Sequence, residues 1–244
     1  MSEYRVGIIA EGPTDIELIR EILRISFPKH SFVFAPLFPS PEELSMQKAK
    51  AGGFGWGGVY RACRELRDLL KFSSVAGKFD FLIIHVDGDV AYHSYEDAGI
   101  HDVPNDLPCG DRGDEVASVC ERLDHVLLTW IGEIDAMPRI VFCTPHMATE
   151  TWAGALVFPE EWEEISEYCD DDVVYLKLIE LGRPKAEKVR RLMRKSRDGK
   201  NRKVTSAYAR IKGYITFDTW QSVVKRYSQA KKFDDQLKTA VSVL

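Results

Sequence analysis

Three acidic residues stand directly after apolar runs, and they carry the first chemical signal in the chain. Glu11 follows Val6-Gly7-Ile8-Ile9-Ala10 and opens Glu11-Gly12-Pro13-Thr14-Asp15. Asp87 and Asp89, in Asp87-Gly88-Asp89, follow Phe79–Val86. An apolar run closed by glycine and proline reads as a buried strand turning into a helix, because proline at the first helical position loses no hydrogen bond. Glu11 then lies at the carboxyl end of a strand, where open α/β sheets place their ligands. Carboxylates gathered there repel one another and hold their protons more tightly unless a cation neutralises them. Oxygen-only donors point to Mg²⁺ or Mn²⁺.

The remaining pattern supplies a frame for these acids. Residues 4–10 read as the first strand, and a helix runs from Pro13 to Ser26, with Ile16, Ile19, Ile22 and Leu23 on one side. Phe32–Leu37 is a second strand near an edge, because Pro36 has no amide hydrogen to give a neighbour. A helix over Val59–Lys71 leads to the strand Phe79–Val86, whose unbroken apolar run suits burial on both faces. A helix over 114–134 and a strand over Arg139–Thr144 complete a β-α-β-α-β-α-β order, the pattern of a parallel sheet with right-handed crossovers. The fold class expected is therefore α/β, a four-stranded, mostly parallel Rossmann-like sheet with helices on both faces. Residues 1–157 form this domain. Residues 158–244 form a helical C-terminal region, with a helix from Pro184 through Arg194, a polar linker over 196–203, and helices near 205–214, 217–229 and 233–242.

Weaker candidates surround the three acids. Asp15 is either a ligand or a first-turn acid suited to the helix dipole. Glu150 follows the fourth strand in His146-Met147-Ala148-Thr149-Glu150-Thr151-Trp152 and reaches the same edge, with Thr149 or Thr151 as a helix cap. Asp87-Gly88-Asp89 also has the composition of a simple turn. Gly52-Gly53-Phe54-Gly55-Trp56-Gly57-Gly58 enters a helix and can cradle phosphate, but it lacks nucleotide-motif spacing, so a loop beside the site is the plainer reading. Trp56 either stacks on a base or anchors that loop in the core. His85 reads as a core histidine, His146 as a supporting or structural residue, and His93 and His101 as loop histidines. Tyr208, Tyr214 and Trp220 are spaced like helix core.

The bulk numbers narrow the class. At 244 residues, with 45% hydrophobic and 29% charged side chains, the chain can bury a full core. No apolar run approaches the roughly 20 residues of a membrane span. The first residues lead straight into a strand, so no leader peptide is expected. Five widely spaced cysteines without a CxxC pair indicate reduced thiols and a cytoplasmic setting. The net charge of −5 hides an asymmetry: from Arg183 to Gly213, thirteen Lys or Arg face two acids, giving +11, and the rest of the chain carries −16. Arg183, Lys185, Arg190, Arg191, Arg194, Lys203 and Lys212 are candidates for phosphate-backbone contacts, or else a solvated face balancing the acidic stretch over 160–172.

The Glu11-Gly12-Pro13-Thr14-Asp15 opening, the Asp87-Gly88-Asp89 element and the βαβ frame between them resemble the TOPRIM domain, in the branch of the OLD-family nucleases. From His146 to Trp152 and into the terminal helices, the chain is similar to stand-alone TOPRIM-like proteins of the DUF4276 type. The resemblance covers roughly residues 4–157 and rests on few residues. It implies Mg²⁺-dependent phosphodiester chemistry, with Asp87, Asp89 and Glu11 or Asp15 holding metal and Glu11 also serving as general acid or base. Asp15 and a further acid, for which Glu150 is the candidate, complete a second metal site. The branch also uses a lysine near the site, and Lys185, Lys203 and Lys212 are the candidates here.

The function expected is a metal-dependent endonuclease or related phosphoryl-transfer enzyme acting on nucleic acid, DNA before RNA, in phage defence or DNA maintenance. The alternative is a TOPRIM-like binding or effector component that is silent without a partner such as a separate ATPase, since the chain has no Walker motif. A homodimer is compatible with either. A third reading makes Asp87 the nucleophile of a phosphatase or response-regulator-like fold, which would leave a trappable aspartyl-phosphate.

Overall fold

The computed structural model describes residues 3–46, 54–72, 78–101, 103–111, 113–132, 139–182, 191–196 and 199–242. Four strands form one parallel sheet: β1 (Glu3–Ile9), β2 (Ser31–Phe38), β3 (Phe81–His85) and β4 (Arg139–Cys143), in the order β2-β1-β3-β4. The register pairs Val6 with Phe34 and Phe81, and Ile84 with Phe142. β2 is an edge strand, and its Pro36 lies opposite Ile8. From β1 the chain moves one way to β2 and then back across to β3. The carboxyl ends of β1 and β3 therefore flank the point where strand order reverses, which is where crevices open in such sheets.

Alternation along the strands divides the core between two faces. Tyr4, Val6, Ile8, Phe81, Ile83, Val141 and Cys143 belong to one apolar cluster, with α1 (Pro13–Ser26) and α5 (Glu150–Val157). Ile9, Leu82, Ile84 and Phe142 belong to the other, with α3 (Trp56–Phe72) and α4 (Val116–Ile131). A short helix α2 (Pro41–Met46) follows β2. All five residues of β3 are buried, as an unbroken apolar run predicts for a central strand.

The chain after residue 157 packs into the first of these clusters. Trp162, Tyr208, Trp220, Tyr227 and Phe233 share it with Val6 and Ile8. They come from the turn at Trp162, from α7 (Thr205–Tyr208), α8 (Phe217–Arg226) and its end at Tyr227, and from α9 (Ser228–Ser242), and Val174 and Leu178 of α6 (Asp171–Leu181) join them. The region is not wholly helical. Where the end of the expected helix at Arg194 and a linker over 196–203 would lie, β5 (Met193–Lys195) and β6 (Asn201–Lys203) pair antiparallel; residues 184–190 of that expected helix fall outside the described residues. Gly199, at φ 80°, supplies the left-handed turn residue, and Ser196 N–H donates to the Lys200 carbonyl at 2.9 Å. Period-two geometry turns Arg202 outward and Lys203 inward.

Among the described residues, no helix is long and apolar enough to cross a membrane. The five cysteines are free thiols, with Cys63, Cys120 and Cys143 buried.

Candidate active site

Glu11 is two residues past the last paired position of β1, and its side chain crosses to β3. The Asp87 amide donates to Glu11 Oε1 at 2.8 Å. Burial and the nearby Asp89 charge push the Glu11 carboxyl up to about 8. The glycine-rich stretch lies beside it: Gly55 N–H donates to the Glu11 carbonyl at 2.9 Å. Gly55 has φ 99°, so a side chain there would be strained by the backbone conformation itself, although a Cβ would meet Glu11 Oε2 only at an ordinary 3.8 Å. Gly52 and Gly53 fall outside the described residues. Trp56 stacks on Trp130 and meets Tyr95 edge-on, which makes it a core anchor.

Asp87 is held from the other side by the turn after β4. Thr149 gives it both its amide and its hydroxyl, each 2.9 Å from Oδ1. The Thr149 hydroxyl has one proton, which goes to Asp87, so its oxygen accepts from His85 Nε2–H at 2.6 Å. His85 is thus the neutral Nε2–H tautomer, and burial holds its pKa down to about 4. Its Nδ1 is buried without a hydrogen-bond partner. Thr149 occupies the cap position of α5 but makes no side-chain cap bond, because its hydroxyl serves Asp87.

Gly88 explains the middle of the Asp-Gly-Asp element. Its amide donates to the Pro145 carbonyl at 2.8 Å, and a Cβ would come within 2.6 Å of that oxygen. Met147 takes a left-handed φ of 58°, rare for a side chain of its size, and its carbonyl faces the Asp89 amide at 3.4 Å. The two turns therefore clasp each other through main chain. Asp89 also meets His93 Nε2 at 3.8 Å, which leads the rise in the His93 pKa. His146 lies outside α5 and packs edge-on against Tyr168, so it does not share a helix face with Glu150. His101 is exposed.

Asp15 and Glu150 meet the same group. Lys203 Nζ lies 3.0 Å from Glu150 Oε1, 3.3 Å from Asp15 Oδ1 and 4.0 Å from Asp87 Oδ2. Burial lowers the lysine pKa, but Asp15, Glu150 and Asp87 outweigh it and hold the ammonium well above its usual range. Burial likewise pushes Asp15 upward, and the Lys203 ammonium reverses that and holds it below its usual range. Asp87 goes the other way: burial, with Glu11, Asp15 and Glu150 nearby, raises it well above the ordinary range against the pull of Lys203. Glu150 is fully buried; Tyr208 O–H donates to its Oε1 at 2.8 Å, and its Oε2 has no partner.

No protein-family model, curated protein or solved structure matches the chain.

The proposed ligand residues Glu11, Asp15, Asp87 and Glu150 are thus joined through a network of direct contacts, and Asp89 acts on Glu11 through space. Among the described residues no three His, Cys, Asp or Glu side chains are set around one point as a metal would need; the carboxylates converge on the Lys203 ammonium instead. The basic candidates scatter. Lys203 is inside the acid cluster. Arg194 and Lys212 are exposed, and Arg191 Nε donates to the Gly182 carbonyl at 3.0 Å at the end of α6. Arg183, Lys185 and Arg190 lie outside the described residues. One further residue at the site, Tyr208, escapes the sequence reading, which takes it for helix core.

The side chains gathered at the site offer carboxylate oxygens as donors. Three carboxylates lie within 4.0 Å of one ammonium, the carboxyls of Glu11 and Asp87 hold protons unusually tightly, and one buried oxygen of Glu150 is without a partner. Hard oxygen donors short of positive charge are what Mg²⁺ and Mn²⁺ satisfy.

Proposed function

We propose that the chain is a TOPRIM-type phosphoryl-transfer enzyme, a nuclease dependent on Mg²⁺ or Mn²⁺. The observation that carries this reading is the Glu11–Asp87 junction at the switch point of the sheet, with Asp15, Glu150 and Lys203 completing the cluster. Glu11, Asp87 and Asp89, with Asp15 and Glu150, are the residues that would hold the cation. When bound, a divalent ion supplies Lewis-acid stabilisation of phosphoryl oxygens.

The chain's own residues account for the other parts of the chemistry. Glu11, fixed over the crevice by the Asp87 amide, is placed to take the proton of an attacking water as general base. Lys203, kept cationic by its acids, stabilises charge developing on the transferring phosphoryl group. Thr149 and His85 fix the orientation of Asp87. The outward side chains Arg194 and Arg202 of the hairpin that carries Lys203 suit contacts to a phosphate backbone.

A second reading has one observation in its favour. Lys203 already bridges three of the acids, and that arrangement suits a component at rest until a partner, such as a separate ATPase subunit, reorganises it. The assay for both is cleavage of plasmid, single-stranded DNA and RNA with Mg²⁺ or Mn²⁺. The enzyme reading expects cleavage by the chain alone that disappears in Asp87→Asn/Asp89→Asn. Equal cleavage by that double variant would refute it, and cleavage only with a partner present would favour the second reading.

A further inference from the structure

Two exposed aromatic rings stand beside the turns that hold the acids, and the chemistry proposed above uses neither. Phe54 is 40% exposed and Tyr168 is 69% exposed. Phe54 immediately precedes Gly55, whose amide donates to the Glu11 carbonyl at 2.9 Å. A Cβ on Gly55 would lie 3.8 Å from Glu11 Oε2, and consecutive Cα atoms are about 3.8 Å apart, so the Phe54 Cα is at most about 9 Å from that oxygen. Tyr168 meets His146 edge-on, with ring centroids 6.3 Å apart. His146 follows Pro145, whose carbonyl accepts from the Gly88 amide between Asp87 and Asp89. One ring therefore borders the turn after β1, and the other borders the turn after β4.

The backbone beside Phe54 is firmly seated. Trp56 stacks on Trp130, and Gly58 approaches Phe38 so closely that a Cβ would lie 2.1 Å from the ring. An aromatic ring on a fixed support gives up little freedom when another ring stacks on it. A nucleobase offers a free face only where it is unpaired, because in a duplex its neighbours cover both faces. Charge selects in the same direction. Glu163, Glu164 and Asp170, near Tyr168 in the chain, are exposed and repel phosphate, whereas Arg194 and Arg202 suit contacts to one backbone. A duplex brings two backbones, and a single strand brings one. We infer that the substrate of this site is a single-stranded nucleic acid and that Phe54 and Tyr168 stack on bases flanking the reacting phosphate. The inference rests on the proposed function of the acids and names the substrate class of that same site.

The test is fluorescence anisotropy of the full chain with Ca²⁺ in place of Mg²⁺. The labelled probes are a single-stranded DNA of mixed sequence, the duplex it forms with its complement, and the RNA of the same sequence. The wild type is expected to bind at least one of the single strands more tightly than the duplex. Phe54→Ala/Tyr168→Ala loses at least about fivefold in affinity for that strand, the loss when one base no longer stacks, and its affinity for the duplex is unchanged. Phe54→Tyr/Tyr168→Phe, which keeps both rings, binds as the wild type does. Both side chains are exposed, so far-ultraviolet circular dichroism of the alanine variant should match the wild type. A duplex bound as tightly as either single strand, or unchanged single-strand affinity in the alanine variant, would overturn the inference. If the same protein cleaves duplex DNA with Mg²⁺, that result leaves the proposed function standing. A wild type that neither binds nor cleaves any of the three probes overturns both.

Discussion

The Asp87 amide donates to the Glu11 carboxylate at 2.8 Å, tying the ends of β1 and β3 together across 76 residues of chain. The bond does two things. It fixes Glu11 over the crevice at the strand-order reversal, and it points one acid at the backbone of the element that carries two others. Hydrogen bonding to the ionised form favours ionisation, but burial and Asp89 prevail, so Glu11 keeps its proton into the neutral range.

Glu11→Gln tests the base. The amide keeps an oxygen for the Asp87 N–H but cannot take a proton from water. Metal-dependent cleavage should fall about 10²- to 10⁴-fold, the range for loss of general acid–base catalysis, with little change in thermal stability. Steady-state cleavage rates alongside thermal unfolding check both halves of this expectation.

Lys203→Met tests the counter-ion. It leaves Asp15, Glu150 and Asp87 without the ammonium they surround. Breaking a buried ion pair from one side costs about 3–5 kcal/mol. Urea unfolding at pH 7 should show a loss of that order in the metal-free protein, reduced by added Mn²⁺. An unchanged unfolding midpoint would contradict the placement of Lys203.

The pH dependence of stability has a defined sign. The folded-state pKa of Glu11, about 8, exceeds its ordinary value of 4.5, and Asp87 is raised in the same direction. The folded chain therefore binds more protons than the unfolded chain, and this contribution is present below about pH 4.5 and lost as the pH rises through about 8. Asp15, held below its usual range, contributes oppositely, and only at the acid end. Metal-free protein should lose stability from pH 5 towards pH 8, measured by denaturant midpoints at constant ionic strength, and Asp87→Asn should flatten that slope.

Thr149→Val removes the hydroxyl that links His85 to Asp87 and leaves the buried Nε2–H without an acceptor. The cost expected is about 1–3 kcal/mol, with Thr149→Ser restoring most of it. Gly88→Ala has a different cause. Its Cβ would meet the Pro145 carbonyl at 2.6 Å, so the two turns must separate and cleavage should fall even where the fold survives.

Much of the frame was legible because β1, β3 and β4 are apolar, β-rich runs with abrupt polar ends, and Gly12-Pro13 marks the start of α1. The acids were legible for the same reason: Glu11 and Asp87 stand where strands stop. The β5–β6 hairpin was not, because the sequence over 193–203 is dominated by arginines and lysines, with no apolar alternation to mark strands. Lys203 could be named only as one of three lysines, since it meets Asp15 from 188 residues away. Tyr208 carries no local signal at all. Its role arises from the packing of the C-terminal helices onto α1 and α5, which no short stretch of sequence encodes.

The most direct measurement is the anomalous scattering of crystals soaked in Mn²⁺. The account predicts a peak about 2.1 Å from carboxylate oxygens of Asp87 and Glu11 or Asp89, with Lys203 drawn away from Asp87. Acids still closed around Lys203 at saturating Mn²⁺, with no peak among them, would contradict it.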